Sequence, residues 1–255
     1  MKKIKATIII ILMVFSFYLS EQITTLAINK NPIMISINKT SDSLTVMGID
    51  AQIKDNTIIP GIAGKIVDKE ASFFKMKEFG TFNETFLVYK DIKPNISVED
   101  NKDKIIVQGN NDLRQVSIII DDTENLINYF KNKNIEISIL SKLNTELDDQ
   151  EYLNAEKTKD NFNDLDSILK KHNLNKKICI INYSNIELCK EKKYYLVDPT
   201  IKVSNANIYK NKKDLTKGAI IYIDKNVTEK SINILLNQIK YLDLKIVYLS
   251  QLIKE

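Results

Sequence analysis

The sequence predicts an α/β domain over residues 114–255. A small β-rich domain over 29–113 and an N-terminal apolar helix over 1–28 precede it. Three observations carry this reading. From Val116 onward, short apolar runs alternate with stretches whose hydrophobic residues recur at helical spacing. Between about Asn29 and Asn111 the apolar residues alternate with polar ones instead. The chain opens on a lysine cluster followed by an uncharged apolar run.

That opening reads Met1-Lys2-Lys3-Ile4-Lys5, then Ala6 to Leu19 without a charge. Lysines ahead of about 14 apolar residues match a secretory signal, and the run is short for a membrane span of ~20 residues. Export is the expectation. No small-x-small cleavage site follows Leu19 cleanly, because Ser20-Glu21-Gln22 and Thr24-Thr25-Leu26-Ala27 are poor matches. An uncleaved anchor therefore stands beside a cleaved signal, and the membrane is an expected partner through this helix.

In the second segment, Ile33–Ile37, Leu44–Val46, Phe86–Tyr89 and Lys104–Val107 read as short strands joined by turns such as Pro60-Gly61 and Phe79-Gly80-Thr81. One helix interrupts them, capped by Asp68 and ending at Gly80.

The third segment opens with a buried strand at Ile118–Ile120. A helix follows over Thr123–Asn134 with Leu126, Ile127, Tyr129 and Phe130 on its apolar face, and then a strand over Ile135–Leu140. Ser141 to Asn161 is acidic, shows no period, and reads as a long loop. Phe162, Leu165, Ile168 and Leu169 mark the next helix. Ile178–Ile181, Tyr194–Val197 and Ala219–Ile223 read as strands. A last helix over Thr228–Leu242 is capped at Thr228, and Lys245–Leu249 closes the chain as a strand.

Composition bounds the function. Lys and Arg number 37 against 33 Asp and Glu, and the net charge of +4 forms no basic stripe, so nucleic acid is not an expected partner. Cys179 and Cys189 are the only cysteines, and their spacing fits no zinc motif. Export would permit a disulfide. Cys179 sits within an apolar run, however, and two buried free thiols are the expectation.

Asp121 and Asp122 end the apolar run from Val116, directly ahead of a helix. Side chains at the carboxyl end of a buried parallel strand point into the crevice where α/β folds keep reactive groups. Two readings stand. The pair is an inherited catalytic or metal site, or the carboxylates cap the first turn of the Thr123 helix. Carboxylates from the Glu146–Glu156 loop would offer Asp122 an all-oxygen site for a hard cation. His172, the one histidine, falls in Lys170-Lys171-His172-Asn173 and reads as an exposed residue at a helix carboxyl end.

Val116-Ser117-Ile118-Ile119-Ile120-Asp121-Asp122 resembles the first motif of the NodB-homology polysaccharide deacetylases, a hydrophobic strand ending in Asp-Asp. Asn128 to Ile139 is similar to the helix, lysine-rich turn and strand that follow it in that family. Lys217 to Asp224 and Leu244 to Leu252 look like its Gly-x-Ile-x-x-x-His-Asp strand and its closing Val-x-Leu-x-x-Leu. The resemblance spans about residues 114–255 and implies an irregular (β/α)7-type barrel. It also implies Asp121 as the general base and Asp122 as ligand to a divalent metal, zinc in an active member, whose bound water attacks an acetamide. The partners in that chemistry are missing. No histidine pair lies between Lys142 and Asp160, Ile223 stands where the family has histidine before Asp224, and Ile178–Ser184 replaces an arginine-proline stretch.

The resemblance thus implies a vestigial centre without a cofactor in an exported, deacetylase-like protein that binds cell-wall glycan or an envelope protein. Asp224, Tyr183, Tyr194 and Tyr195 are the candidate binding residues, since aromatic rings commonly line sugar sites. An active carbohydrate deacetylase with an unrecognised ligand set and an envelope scaffold that touches no sugar are the alternatives.

Overall fold

The computed structural model describes residues 2–207 and 214–255. In chain order its elements begin with α1 (Lys2–Asn29), α2 (Pro32–Ser41), β1 (Gln52–Lys54), β2 (Thr57–Ile59), β3 (Gly64–Val67), α3 (Lys69–Lys77), β4 (Tyr89–Ile92) and β5 (Ile105–Ile106). They continue with β6 (Gln115–Asp121), α4 (Glu124–Lys131), β7 (Ser138–Ser141), β8 (Glu151–Asn154), α5 (Lys159–Lys171), β9 (Ile178–Ile180) and α6 (Ile186–Glu191). The last are β10 (Tyr195–Val197), β11 (Ile201–Val203), β12 (Ile220–Ile223), α7 (Glu229–Tyr241), β13 (Lys245–Ile246) and α8 (Leu249–Leu252).

The chain divides into two compact units, Met1–Met47 with Ala63–Ile92, and Gly48–Ile62 with Lys93–Glu255. This is not the division at 113/114 read from the sequence. β5 pairs in parallel with both β2 and β10, which commits β1, β2 and β5 to the second unit.

In the first unit α1 is helical, as its apolar run suggests. Among the described residues, however, no helix is long and apolar enough to cross a membrane, so the anchor expectation gains no support. The strand expected at Ile33–Ile37 is the helix α2. Asn31 accepts the Ile33 amide at 2.9 Å and Pro32 occupies the first turn, a helix start that outweighs the short alternation. Ile33, Met34 and Ile37 then share a buried core with Val67, Phe73, Met76 and Leu87. The strand read at Leu44–Val46 is reduced to a single bridge from Val46 to Lys65, and that at Phe86–Tyr89 begins only at Tyr89. The Asp68 cap is present, accepting the Ala71 amide at 3.1 Å. The chain leaves α3 through Gly80 at φ 70°, a left-handed position that glycine fills without strain.

The second unit contains a parallel sheet in the order β11-β12-β6-β7-β8, with β13 also on β6, and a mixed sheet in the order β1-β2-β5-β10-β9. Strand alternation divides β6 between two hydrophobic layers. Ile118 and Ile120 pack with Phe130, Leu235 and Ile239 beneath the helices, while Ile119 joins Leu140, Leu153, Ile180, Val197 and Ile220 between the strands. The fold is α/β with parallel sheets, and the strand pairing does not confirm the expected irregular barrel. Among the described residues no strand pairing joins the two sheets. Where β8 approaches the turn after β9, a side chain takes the place of a ladder: the Ser184 hydroxyl donates to the Asn154 carbonyl at 2.6 Å.

Two further expectations fail here. The acidic loop at Ser141–Asn161 contains β8, all four of whose residues are buried. Its polar members are satisfied internally. Glu151 accepts from the Ser138 hydroxyl at 2.7 Å and from the Ser250 amide at 3.2 Å, and Asn154 donates to the Phe162 carbonyl at 2.9 Å. The cysteines are not free thiols either. The turn after β9 folds α6 back over the strand, sets the Cys179 and Cys189 Cα atoms 6.3 Å apart, and a disulfide joins them. Phe162, Leu188, Tyr194 and Leu196 bury it.

Candidate functional site

Asp121 is the last residue of β6 and shares the face of Ile119. In the neighbouring strand, Tyr222 pairs with Ile119 and presents its phenol along the same face. The Tyr222 hydroxyl donates to Asp121 Oδ2 at 2.8 Å, and the Lys225 amide donates to the same oxygen at 3.2 Å. That amide is aimed by the turn at Asp224, whose Oδ1 accepts from the Asn226 amide at 2.9 Å. Tyr183, from the turn after β9, tilts over Tyr222 with ring centroids 4.7 Å apart. Three strand ends thus bring Asp121, Tyr222, Asp224 and Tyr183 together.

The electrostatics follow from burial among carboxylates. Burial, the hydrogen bond with Tyr183 and the contact with Asp121 together push the Tyr222 phenol well above its ordinary range. Burial raises Tyr183 as well. The negative fields of Asp121, Asp224 and Asp198 add to the rise, and its bond with Tyr222 opposes it. Both phenols stay protonated at neutral pH, and Tyr222 acts as a hydrogen-bond donor.

Asp122 turns elsewhere, and the Thr145 hydroxyl donates to its Oδ2 at 2.6 Å. The capping alternative is not what either carboxylate does. Thr123 is the N-cap of α4, and the Asp121 contact with its amide, at 2.9 Å, runs through the main-chain carbonyl. His172 lies exposed at the carboxyl end of α5, as its sequence position suggests.

Tyr194 and Tyr195 do not reach the cluster. As strand neighbours they face opposite sides of the sheet. Tyr194 is buried and its hydroxyl donates to Asp166 at 2.7 Å, while Tyr195 donates to Glu99 beneath the Lys102 ammonium. Sequence reasoning did not single out Tyr222 or Thr145. Tyr222 was within reach, because two-residue alternation puts it on the face of Asp224, whereas Thr145 meets Asp122 only through loop geometry.

A catalytic zinc needs three protein ligands, usually including imidazole. Among the described residues no group of three His, Cys, Asp or Glu side chains is placed to hold a metal ion. Asp122 meets a threonine hydroxyl instead, so these residues do not fit the metal that the resemblance implies. What the cluster offers is carboxylate acceptors, the Tyr222 phenol donor and an aromatic face.

Comparison with solved structures places this geometry. Over 88% of this chain and 95% of the other, the architecture superposes on wild-type BA3943 of Bacillus anthracis, described as a CE4 family pseudoenzyme, with a TM-score of 0.57 at 15% identity. The fold is of the CE4 type. A BA3943 mutant described as having restored enzymatic activity superposes with a TM-score of 0.58 at 16% identity, over 88% of this chain and 98% of that one. At such identities the CE4 likeness is one of fold. No family model matches the chain. The uncharacterized protein YlxY of Bacillus subtilis (strain 168) is 31% identical over 103 residues, covering 40% of this chain. That match spans 32% of YlxY, about a third of its length.

Proposed function

We propose that this is an extracytoplasmic protein with a CE4-type fold that does not hydrolyse acetamides and binds cell-wall glycan at the Asp121 cluster. One observation carries the reading. Both carboxylates that an active relative would give to base and metal are held here by hydroxyl donors, Tyr222 on Asp121 and Thr145 on Asp122. Sugar hydroxyls and amides suit the remaining acceptors, and the Tyr183 ring supplies a face for a pyranose. The lysine-led apolar start and the Cys179–Cys189 disulfide support export, since disulfides persist in oxidising compartments.

The test combines an activity assay with a binding assay. Purified protein supplied with zinc or cobalt is expected to release no acetate from an acetylated amino-sugar oligomer. The same oligomer should bind, and Tyr183→Ala should weaken it about tenfold, the loss of ~1–2 kcal/mol of aromatic contact. Turnover abolished by Asp122→Ala would overturn the first half. Failure of the wild-type protein to retain the oligomer would overturn the second and favour an envelope scaffold.

A further inference from the structure

A cavity of about 300 Å³ lies beside the turn that carries Tyr183, on the disulfide side of the mixed sheet. It exists because β5 and β10 are each followed directly by a strand of the other sheet, where an α/β fold would lay a helix over them. Its floor is apolar. Ile105, Ile181, Ile186 and Leu196 line it, and the three isoleucines are only partly buried by the cluster around Cys179.

The rim carries uncompensated positive charge. The Lys157 ammonium donates to the main-chain carbonyls of Asn182 and Ser184, the latter at 3.4 Å, which leaves its third N–H free. Among the described residues no carboxylate pairs with it, and partial desolvation pushes its pKa down. Lys190 on the same rim has no ion pair among the described residues. Asp103, the one acid in the lining, is already paired with Lys104 at 3.3 Å.

An apolar floor under two unanswered ammonium groups is complementary to one kind of small molecule. We propose that this cavity binds a small organic carboxylate, with its apolar body on Ile105, Ile181, Ile186 and Leu196 and its charge at Lys157 and Lys190. The site is separate from the Asp121 cluster and does not depend on the function proposed for it.

Calorimetry and methyl NMR on the full chain with hexanoate, hexanol and inorganic sulfate test the assignment. Hexanoate should bind at one site about tenfold more tightly than hexanol and shift the methyl signals of the four floor residues, because a charge-assisted hydrogen bond is worth ~1.5 kcal/mol or more. Lys157→Met should cost about tenfold, and Lys190→Gln about threefold. Because Lys157→Met also frees two carbonyls of the turn, Ile186→Phe provides a second variant that fills the floor, leaves both lysines in place and should abolish binding. Equal affinity for hexanoate and hexanol, sulfate binding as well as hexanoate, or binding undiminished in both Lys157→Met and Ile186→Phe would overturn the proposal.

Discussion

Asp166 is the most heavily bonded carboxylate in the second unit, and its removal offers a quantitative test of the packing described above. Its side chain is 2% exposed and accepts from Tyr194 at 2.7 Å and from Lys170 and Lys192 at 2.9 Å each, with Asn175 as a fourth donor. Burial works to raise its pKa, yet the hydrogen bonds from Tyr194, Lys170 and Lys192 outweigh burial and the net shift is downward. A lowered native value means that the contribution is complete above the unfolded pKa of ~3.9 and is lost as pH falls through the native one. Breaking a buried pair costs about 3–5 kcal/mol. The low end applies because Lys170 and Lys192 reach solvent, at 53% and 27% exposure, and can rehydrate when Asp166 is truncated. Asp166→Ala should therefore lose about 3 kcal/mol, or about 6–12 °C in Tm at the ~2–4 °C per kcal/mol of a domain this size. Thermal melts followed by near-ultraviolet tyrosine dichroism, at pH 7 and across the acid range, measure both effects. A variant within about 1 kcal/mol of wild type at neutral pH, or wild-type stability unchanged as pH falls below about 4, would refute the account of this cluster.

Three other outcomes follow from the geometry. Thiol titration of the unreduced protein should find no free cysteine, and replacing Cys179 and Cys189 by alanine should cost about 2–3 kcal/mol, the closure entropy of a short loop. Tyr222→Phe removes one donor from Asp121 and should destabilise by about 1–3 kcal/mol in urea unfolding, so a neutral result would mean that the phenol does not hold that carboxylate. The Tyr152 phenol is pushed up to about 12, chiefly by burial. A raised native value contributes stability that is present below the unfolded value of ~10 and lost as pH rises through the native one. Tyrosinate absorbance should therefore lag free tyrosine and appear together with unfolding between about pH 10 and about pH 12.

Local pattern alone determined a good part of this protein. Apolar runs fixed β6, β9, β10 and β12, helical spacing fixed α5 and α7, and side-chain caps placed the starts of α3 and α7 at Asp68 and Thr228. These features were legible because each depends on residues a few positions apart. So was the scarcity of imidazole, which is a matter of composition. Only the tertiary structure decided the rest. β8 reads as an acidic loop because Glu151 and Asn154 are satisfied by Ser138, the Ser250 amide and the Phe162 carbonyl, contacts that no local window contains. The disulfide depends on the reversal that lays α6 over β9. The assignment of β1, β2 and β5 to the second unit depends on hydrogen bonds to β10, some 90 residues along the chain from β5. The hold of Tyr222 on Asp121 joins residues 101 positions apart. Periodicity reports which side of an element is buried, but long-range pairing chooses what it is buried against.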